Sequence, residues 1–226
     1  MRSLQIFDAF DFGWQYMKKS GVILSMFVLF VGLLYTGILY WSLPQDLYDQ
    51  YFQAIQSGDK ASLQRVQELI MGKMGVILLA SLIQTLLYVV AAAVAYQVCR
   101  ENRKITFGDF LSLDIPVLRL ITLVVLFMLI FFIGWIMFFI PGIYVAIRFS
   151  QCFYVMIDRP ETGVMEALGR SWYMTQGNFW RLLCFACLCL LLIMVGYFFF
   201  IIGMFFSLAF CIFASVDVYR QLKLDY

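Results

Sequence analysis

PGIYVAIRFSQCFYVMIDRPETGVMEALGRSWYMTQGNFWRL, Pro141 to Leu182, is the stretch whose reading decides the fold. A Pro-Gly break opens a short apolar span, 143–157, with Arg148 buried inside it. Asp158-Arg159-Pro160 ends that span. Residues 163–176 then read as an amphipathic helix: Met165, Leu168 and Trp172 share one face, and Glu166 and Arg170 form an i,i+4 pair on another. Gly177 can end this helix and Asn178 can cap the next, after which the chain returns to apolar sequence. Apolar, amphipathic, apolar is the grammar of a polytopic membrane protein.

Composition agrees. The chain is 64% hydrophobic and only 13% charged, with mean hydropathy +0.90. A soluble domain carries about a quarter charged residues, so this surface expects lipid. The net charge of +2 and the lack of a basic run exclude a nucleic-acid footprint. There is no histidine, which removes the commonest general base and metal ligand. The six cysteines lie in or beside apolar spans and form no disulfide framework. Cys184, Cys187 and Cys189 lack a fourth ligand and read as small packing residues, so no metal or cofactor is expected.

Outward from the opening stretch, the chain resolves into six spans. Residues 3–19 place Phe7, Phe10, Trp14 and Met17 at helical spacing and read as an interfacial helix. Gly21 to Trp41 is the first span, with Tyr35, Tyr40 and Trp41 toward its far end. Residues 42–73 read as an extracytoplasmic helical hairpin, an insertion in a single membrane domain covering 1–226. Its first helix carries Leu47, Tyr48, Tyr51, Phe52 and Ile55, its second Leu63, Val66, Leu69 and Ile70, with Ser57-Gly58-Asp59 as the turn. Met74 to Cys99 is the second span, whose Ala91-Ala92-Ala93 run permits close helix approach. Thr106-Phe-Gly-Asp109 has capping-box form, and Val117 to Ile140 is the third span. Residues 179–219 exceed one span and divide near 200–203.

The expected fold is therefore all-α: six transmembrane helices as three hairpins, each preceded by a cytoplasmic amphipathic segment. Ala9–Met17 echoes Ala167–Met174, with Phe107–Leu111 as the middle copy, so a parallel internal repeat is expected. Twelve lysines and arginines fall on the side of both termini, against Lys60, Arg65 and Lys73 on the other. The positive-inside rule places both termini in the cytoplasm.

Pro141-Gly-Ile-Tyr144 with Arg148 resembles the PGIYxxxR signature of a bacterial membrane family. Glu166-Ala-Leu-Gly-Arg170-Ser-Trp172-Tyr-Met-Thr175-Gln-Gly177-Asn-Phe-Trp180-Arg181 is similar to its EALxRSWxxTxGNFWR signature. This is the membrane domain fused to glycerophosphoryl diester phosphodiesterases, which also occurs alone as a six-helix protein. The resemblance implies a bacterial inner-membrane location and carries no chemistry of its own. No phosphodiesterase domain accompanies it in these 226 residues, so that activity is not expected.

Arg148 is the expected centre. It lies about 10 Å below one surface of a ~30 Å core, where an arginine costs at least ~2.5 kcal/mol unless it finds acceptors. Tyr144, Arg148 and Gln151 share a helix face, and Tyr35 and Gln84 offer polar groups at similar depth. No carboxylate is expected nearby, so the cation suits an anionic headgroup or solute; the plainer account is that Arg148 pins the fourth span to the second. Trp14, Trp172, Arg170, Trp180 and Arg181 are expected at the headgroup level. The missing histidine, paired carboxylates and GxSxG motif argue against an enzyme. The expectation is a non-enzymatic, lipid-associated or membrane-organising protein whose partners are membrane lipids. The alternative is a transporter of a small anionic or amphipathic solute. Oligomeric state is not legible.

Overall fold

The computed structural model describes residues 4–43, 47–57, 60–111, 117–137, 139–198 and 201–224. Most of these residues are helical, with no strand among them. The helices are α1 (Ile6–Ser42), α2 (Leu47–Ser57), α3 (Lys60–Glu101), α4 (Val117–Met137), α5 (Phe139–Phe149), α6 (Cys152–Asp158), α7 (Val164–Met174), α8 (Phe179–Phe198) and α9 (Ile201–Leu224). Six stretches are long and apolar enough to cross a membrane: α1, α3, α8, 117–134 in α4, Ile140–Asp158 across α5 and α6, and 203–223 in α9. The chain thus has the makings of an integral membrane protein.

Two boundaries differ from those read in the sequence. The segment 3–19 does not stand apart from the first span: from Ile6 it is the start of α1, a helix of 37 residues and about 55 Å. Residues 63–70 likewise run straight into the second span within α3, which has 42 residues. Neither stretch contains proline, so nothing in the backbone marks the change from amphipathic to apolar side chains. The turn expected at Ser57-Gly58-Asp59 falls largely outside the described residues. On α2, Ala54 is buried while Tyr51, Phe52 and Ile55 are exposed; the side chain of Tyr48 lies outside the description.

Contacts divide the chain into two compact units, one of Met1–Leu29 with Leu86–Tyr226 and one of Phe30–Thr85. The second unit comprises the later part of α1, α2 and the earlier part of α3, with Val31, Ala54, Val66 and Ala80 buried. The first unit holds the larger core. Ala91, Ala93, Val94 and Val98 of α3, Cys152 and Met156 of α6, and Phe213, Ala214 and Val216 of α9 are fully buried there. Small residues set the closest approaches. A Cβ on Gly13 would sit 3.3 Å from Ala214, and one on Gly134 would sit 3.0 Å from the Cα of Gly142. A Cβ on Gly196 would meet the Ser207 hydroxyl at 2.5 Å and the Gly203 carbonyl at 2.7 Å. This is why α8 and α9 pack so closely beside the division expected near 200–203.

The loop after α3 is gripped by α1. The Lys19 ammonium donates to the carbonyl (2.6 Å) and side-chain oxygen (2.9 Å) of Asn102, which takes the left-handed conformation (φ 52°). Tyr16 donates to the same side-chain oxygen at 3.1 Å, and Ser20 accepts from the Ile105 N–H at 3.1 Å. The capping box forms as read: the Thr106 N–H and hydroxyl donate to Asp109 at 2.7 and 3.0 Å, and Arg103 donates at 2.7 Å. Phe107–Phe110 makes a short 3-10 turn there. Arg103 also pairs with Glu101. The bond from Arg103, supported by Thr106, holds the Asp109 carboxyl below the usual carboxylate range, and the two acids push Arg103 up.

The fourth span is broken. Pro141 and Gly142 do not precede it but enter the first turn of α5, where a missing N–H costs no helical bond. The helix instead breaks at Ser150 and Gln151, between α5 and α6. Ser150 turns its N–H (3.3 Å) and its hydroxyl (2.8 Å) back onto the Ile147 carbonyl. The Arg148 carbonyl accepts from the Ser171 hydroxyl at 2.8 Å and the Thr175 hydroxyl at 3.3 Å, both on or just after α7. Side chains of another helix take up an acceptor that the break releases.

Candidate functional site

Arg148 stands in the last turn of α5, immediately before this break. Its Nε and Nη2 donate to the Tyr144 hydroxyl at 3.1 and 2.9 Å. The guanidinium lies 5.2 Å from the Tyr144 ring and 5.0 Å from the Trp172 ring. Tyr144 and Trp172 meet edge to face at 5.8 Å, and Phe149 and Phe179 close the aromatic surround at 5.6 Å from Trp172 and 5.0 Å from Tyr144. Such cation–π contacts are worth about 0.5–2 kcal/mol each and replace part of the hydration that burial removes. They do not replace all of it. Arg148 Nη1 is buried without a hydrogen-bond partner, and Arg148 has no carboxylate partner among the described residues.

Gln151 occupies the break itself and is buried. Its Nε2 donates to the Ser150 hydroxyl at 3.2 Å, while Oε1 has no partner. An unpaired donor and an unpaired acceptor thus lie three residues apart at a discontinuity in a membrane-length span. Buried orphans of this kind are rare and ask for an explanation. Together with Tyr144 they form the part of the expected cluster that the structure brings together. Tyr35 and Gln84, both half-buried, belong to the other compact unit.

Amphipathic α7 supplies the rest. Its buried face is Ala167, Leu168, Ser171 and Met174, whereas Met165 is 74% exposed. Gly163 starts it in extended conformation, and Gly177 leaves it with φ 86°, a conformation that glycine adopts without steric cost. Asn178 uses its side-chain oxygen to accept from the Leu4 N–H at 3.4 Å. Arg170 pairs with Glu166 at 2.7 Å as expected, and Arg181 and Trp180 are exposed. Trp172 is only half-buried, with its ring over Arg148, a role the sequence reading did not assign to it. Trp14 is half exposed with the Lys18 ammonium 5.1 Å above it. The two tryptophans of the expected repeat therefore face different cations.

A second polar cluster was missed. The Asp158 carboxylate accepts from Tyr96 (2.5 Å), Tyr219 (3.1 Å) and Lys223 (2.5 Å), tying α6 to α3 and α9. Tyr154 stacks on Tyr219 at 5.6 Å. The Asp158 side chain is 6% exposed, so three donors on one carboxylate are needed to hold its charge. The only sequence signal was the i,i+4 spacing of Tyr219 and Lys223. All six cysteines are free, with Cys184 and Cys187 exposed on α8 rather than packed. Among the described residues, no group of histidine, cysteine or acidic side chains is arranged to hold a metal ion. Comparison with known families, curated proteins and solved structures finds no match.

Proposed function

We propose that the chain is a non-enzymatic integral membrane protein that associates with membrane lipids, receiving an anionic lipid group at Arg148. The observation that carries this reading is the unpaired Nη1 of a guanidinium that has no carboxylate partner among the described residues, set at a helix break. A cation in a span is expensive and is kept where a partner meets it. In the same reading the chain forms three hairpins led by cytoplasmic amphipathic segments. Both termini lie in the cytoplasm of a bacterial inner membrane, as the lysine and arginine distribution supports. It is a relative of the membrane domain of glycerophosphoryl diester phosphodiesterases, and its partners are lipids rather than nucleic acids.

The test is lipid retention. The purified protein is expected to carry an anionic phospholipid in fixed stoichiometry by native mass spectrometry, and Arg148→Leu is expected to lose it. Equal retention by a folded Arg148→Leu variant would refute the reading. The broken fourth span favours one second reading, transport of a small anionic solute, because discontinuous helices often line transporter binding sites. Uptake of the solute into vesicles, abolished by Arg148→Leu, would select it.

A further inference from the structure

A cleft of about 480 Å³ opens between α1, α8 and α9, lined by Trp14 and Met17, Leu192 and Gly196, and Gly203 and Phe210 among others. Its size falls in the ~300–1,000 Å³ range of ligand pockets. Gly196 and Gly203 line it where α8 and α9 touch, so closely that a Cβ on either would meet the other helix. The lining is almost wholly apolar: its polar side-chain groups are the Ser207 hydroxyl and the Trp14 indole N–H. All three of its walls belong to helices of membrane-spanning length and apolarity, a setting that suits an apolar occupant.

The cleft also has a direction. Along α9 it runs from Phe210 to Gly203, about 10 Å. Helix α1 enters at the Phe210 end, where Gly13 backs onto Ala214 and Phe210. At that end Lys18 lies over Trp14, exposed and without a carboxylate partner among the described residues. A cation at one end and an apolar lining running away from it match the polarity of a phospholipid. We propose that this cleft holds one acyl chain of an anionic phospholipid, its phosphate against Lys18 and its chain directed toward Gly196 and Gly203. The inference rests on the lipid reading above but concerns a place distinct from Arg148.

Trp14 reports on the cleft directly. In full-length protein with Trp41, Trp135, Trp172 and Trp180 replaced by Phe, Trp14 fluorescence is titrated in vesicles with brominated-chain phosphatidylglycerol or brominated-chain phosphatidylcholine. Saturable quenching is expected, at about fivefold lower mole fraction for the anionic lipid, the preference one near-surface lysine confers. Lys18→Gln is expected to abolish the preference. Because the tryptophan-poor chain is a multiple variant, native mass spectrometry gives a second measurement: Lys18→Gln retains one phosphatidylglycerol fewer than the otherwise unmodified chain, and in an Arg148→Leu background the same substitution takes the count from one to none. Equal, unsaturable quenching by both lipids would show ordinary boundary lipid and overturn the proposal, as would a preference that survives Lys18→Gln. Arg148→Leu should leave the Trp14 titration unchanged. If it removes the preference, the effect belongs to Arg148 and the cleft assignment falls while the lipid reading stands.

Discussion

Removing one oxygen from Tyr144 should be more damaging than removing the whole charge of Arg148. In Tyr144→Phe the ring stays beneath the guanidinium, but the acceptor for both Nε and Nη2 is gone. Nη1 is already unpaired, so the substitution leaves all the guanidinium nitrogens without a hydrogen bond. Hydrogen bonds to charged groups contribute about 1.5–3 kcal/mol each. Two that converge on one oxygen, with the cation–π contacts retained, should together be worth about 2–3 kcal/mol. For a chain of this size that is a fall of about 4–12 °C in melting temperature. Arg148→Leu removes the donors as well as their need, and replacing a buried charge by an apolar side chain is commonly neutral or stabilising. The assay is thermal unfolding in one detergent at one heating rate, since membrane protein melts are seldom reversible. Arg148→Leu should melt at or above the wild-type temperature, and the double variant should match it, the Tyr144 penalty having vanished. An unchanged melting temperature for Tyr144→Phe, or a penalty undiminished in the double variant, would refute the assignment of Tyr144 as the partner that holds this cation.

Gly196→Ala should destabilise by about 1–3 kcal/mol, because its Cβ would fall on the Ser207 hydroxyl and the Gly203 carbonyl, whereas Gly72→Ala, with nothing within 4 Å, should gain up to about 1 kcal/mol; parallel melts check both. The Asp109 corner should weaken in acid. Its carboxyl is held below the unfolded value of ~3.9, so its contribution is complete above that pH and is lost as the pH falls through the lower folded value. Proteolysis of the 103–111 corner should therefore accelerate below about pH 4 in the wild type, and Asp109→Asn should flatten that pH dependence. In a background without native cysteines, Gln56→Cys should react with an impermeant reagent from outside intact cells and Glu161→Cys should not; the reverse pattern would invert the topology.

Much of this was legible because a span announces itself by length and apolarity alone. The Tyr144–Arg148 contact was legible for the same local reason, being an i,i+4 pair on one helix. The uninterrupted length of α1 and α3 was not. The sequence changes character near residues 20 and 73, but what changes is the environment of the side chains, not the preference of the backbone. The break at Ser150 and Gln151 was hidden for the opposite reason. Neither residue forbids a helix, and the bonds that compensate the break come from Ser171 and Thr175, more than twenty positions on. The tryptophan over Arg148 and the donors around Asp158 are likewise tertiary meetings, which no local spacing records.

The Asp158 cluster also sets an order of assembly. Tyr96 is synthesised before Asp158, but Lys223 follows it by 65 residues and Tyr219 by 61. At about 5–20 residues per second, the carboxylate waits roughly 3–13 s with one of its three donors. During that interval α6 can dock on α3 alone, and its charge remains under-compensated until the final turns of α9 arrive. The last helix to emerge therefore ratifies the placement of an earlier one, and a chain whose α9 fails to insert carries a strained carboxylate that distinguishes it from a finished bundle.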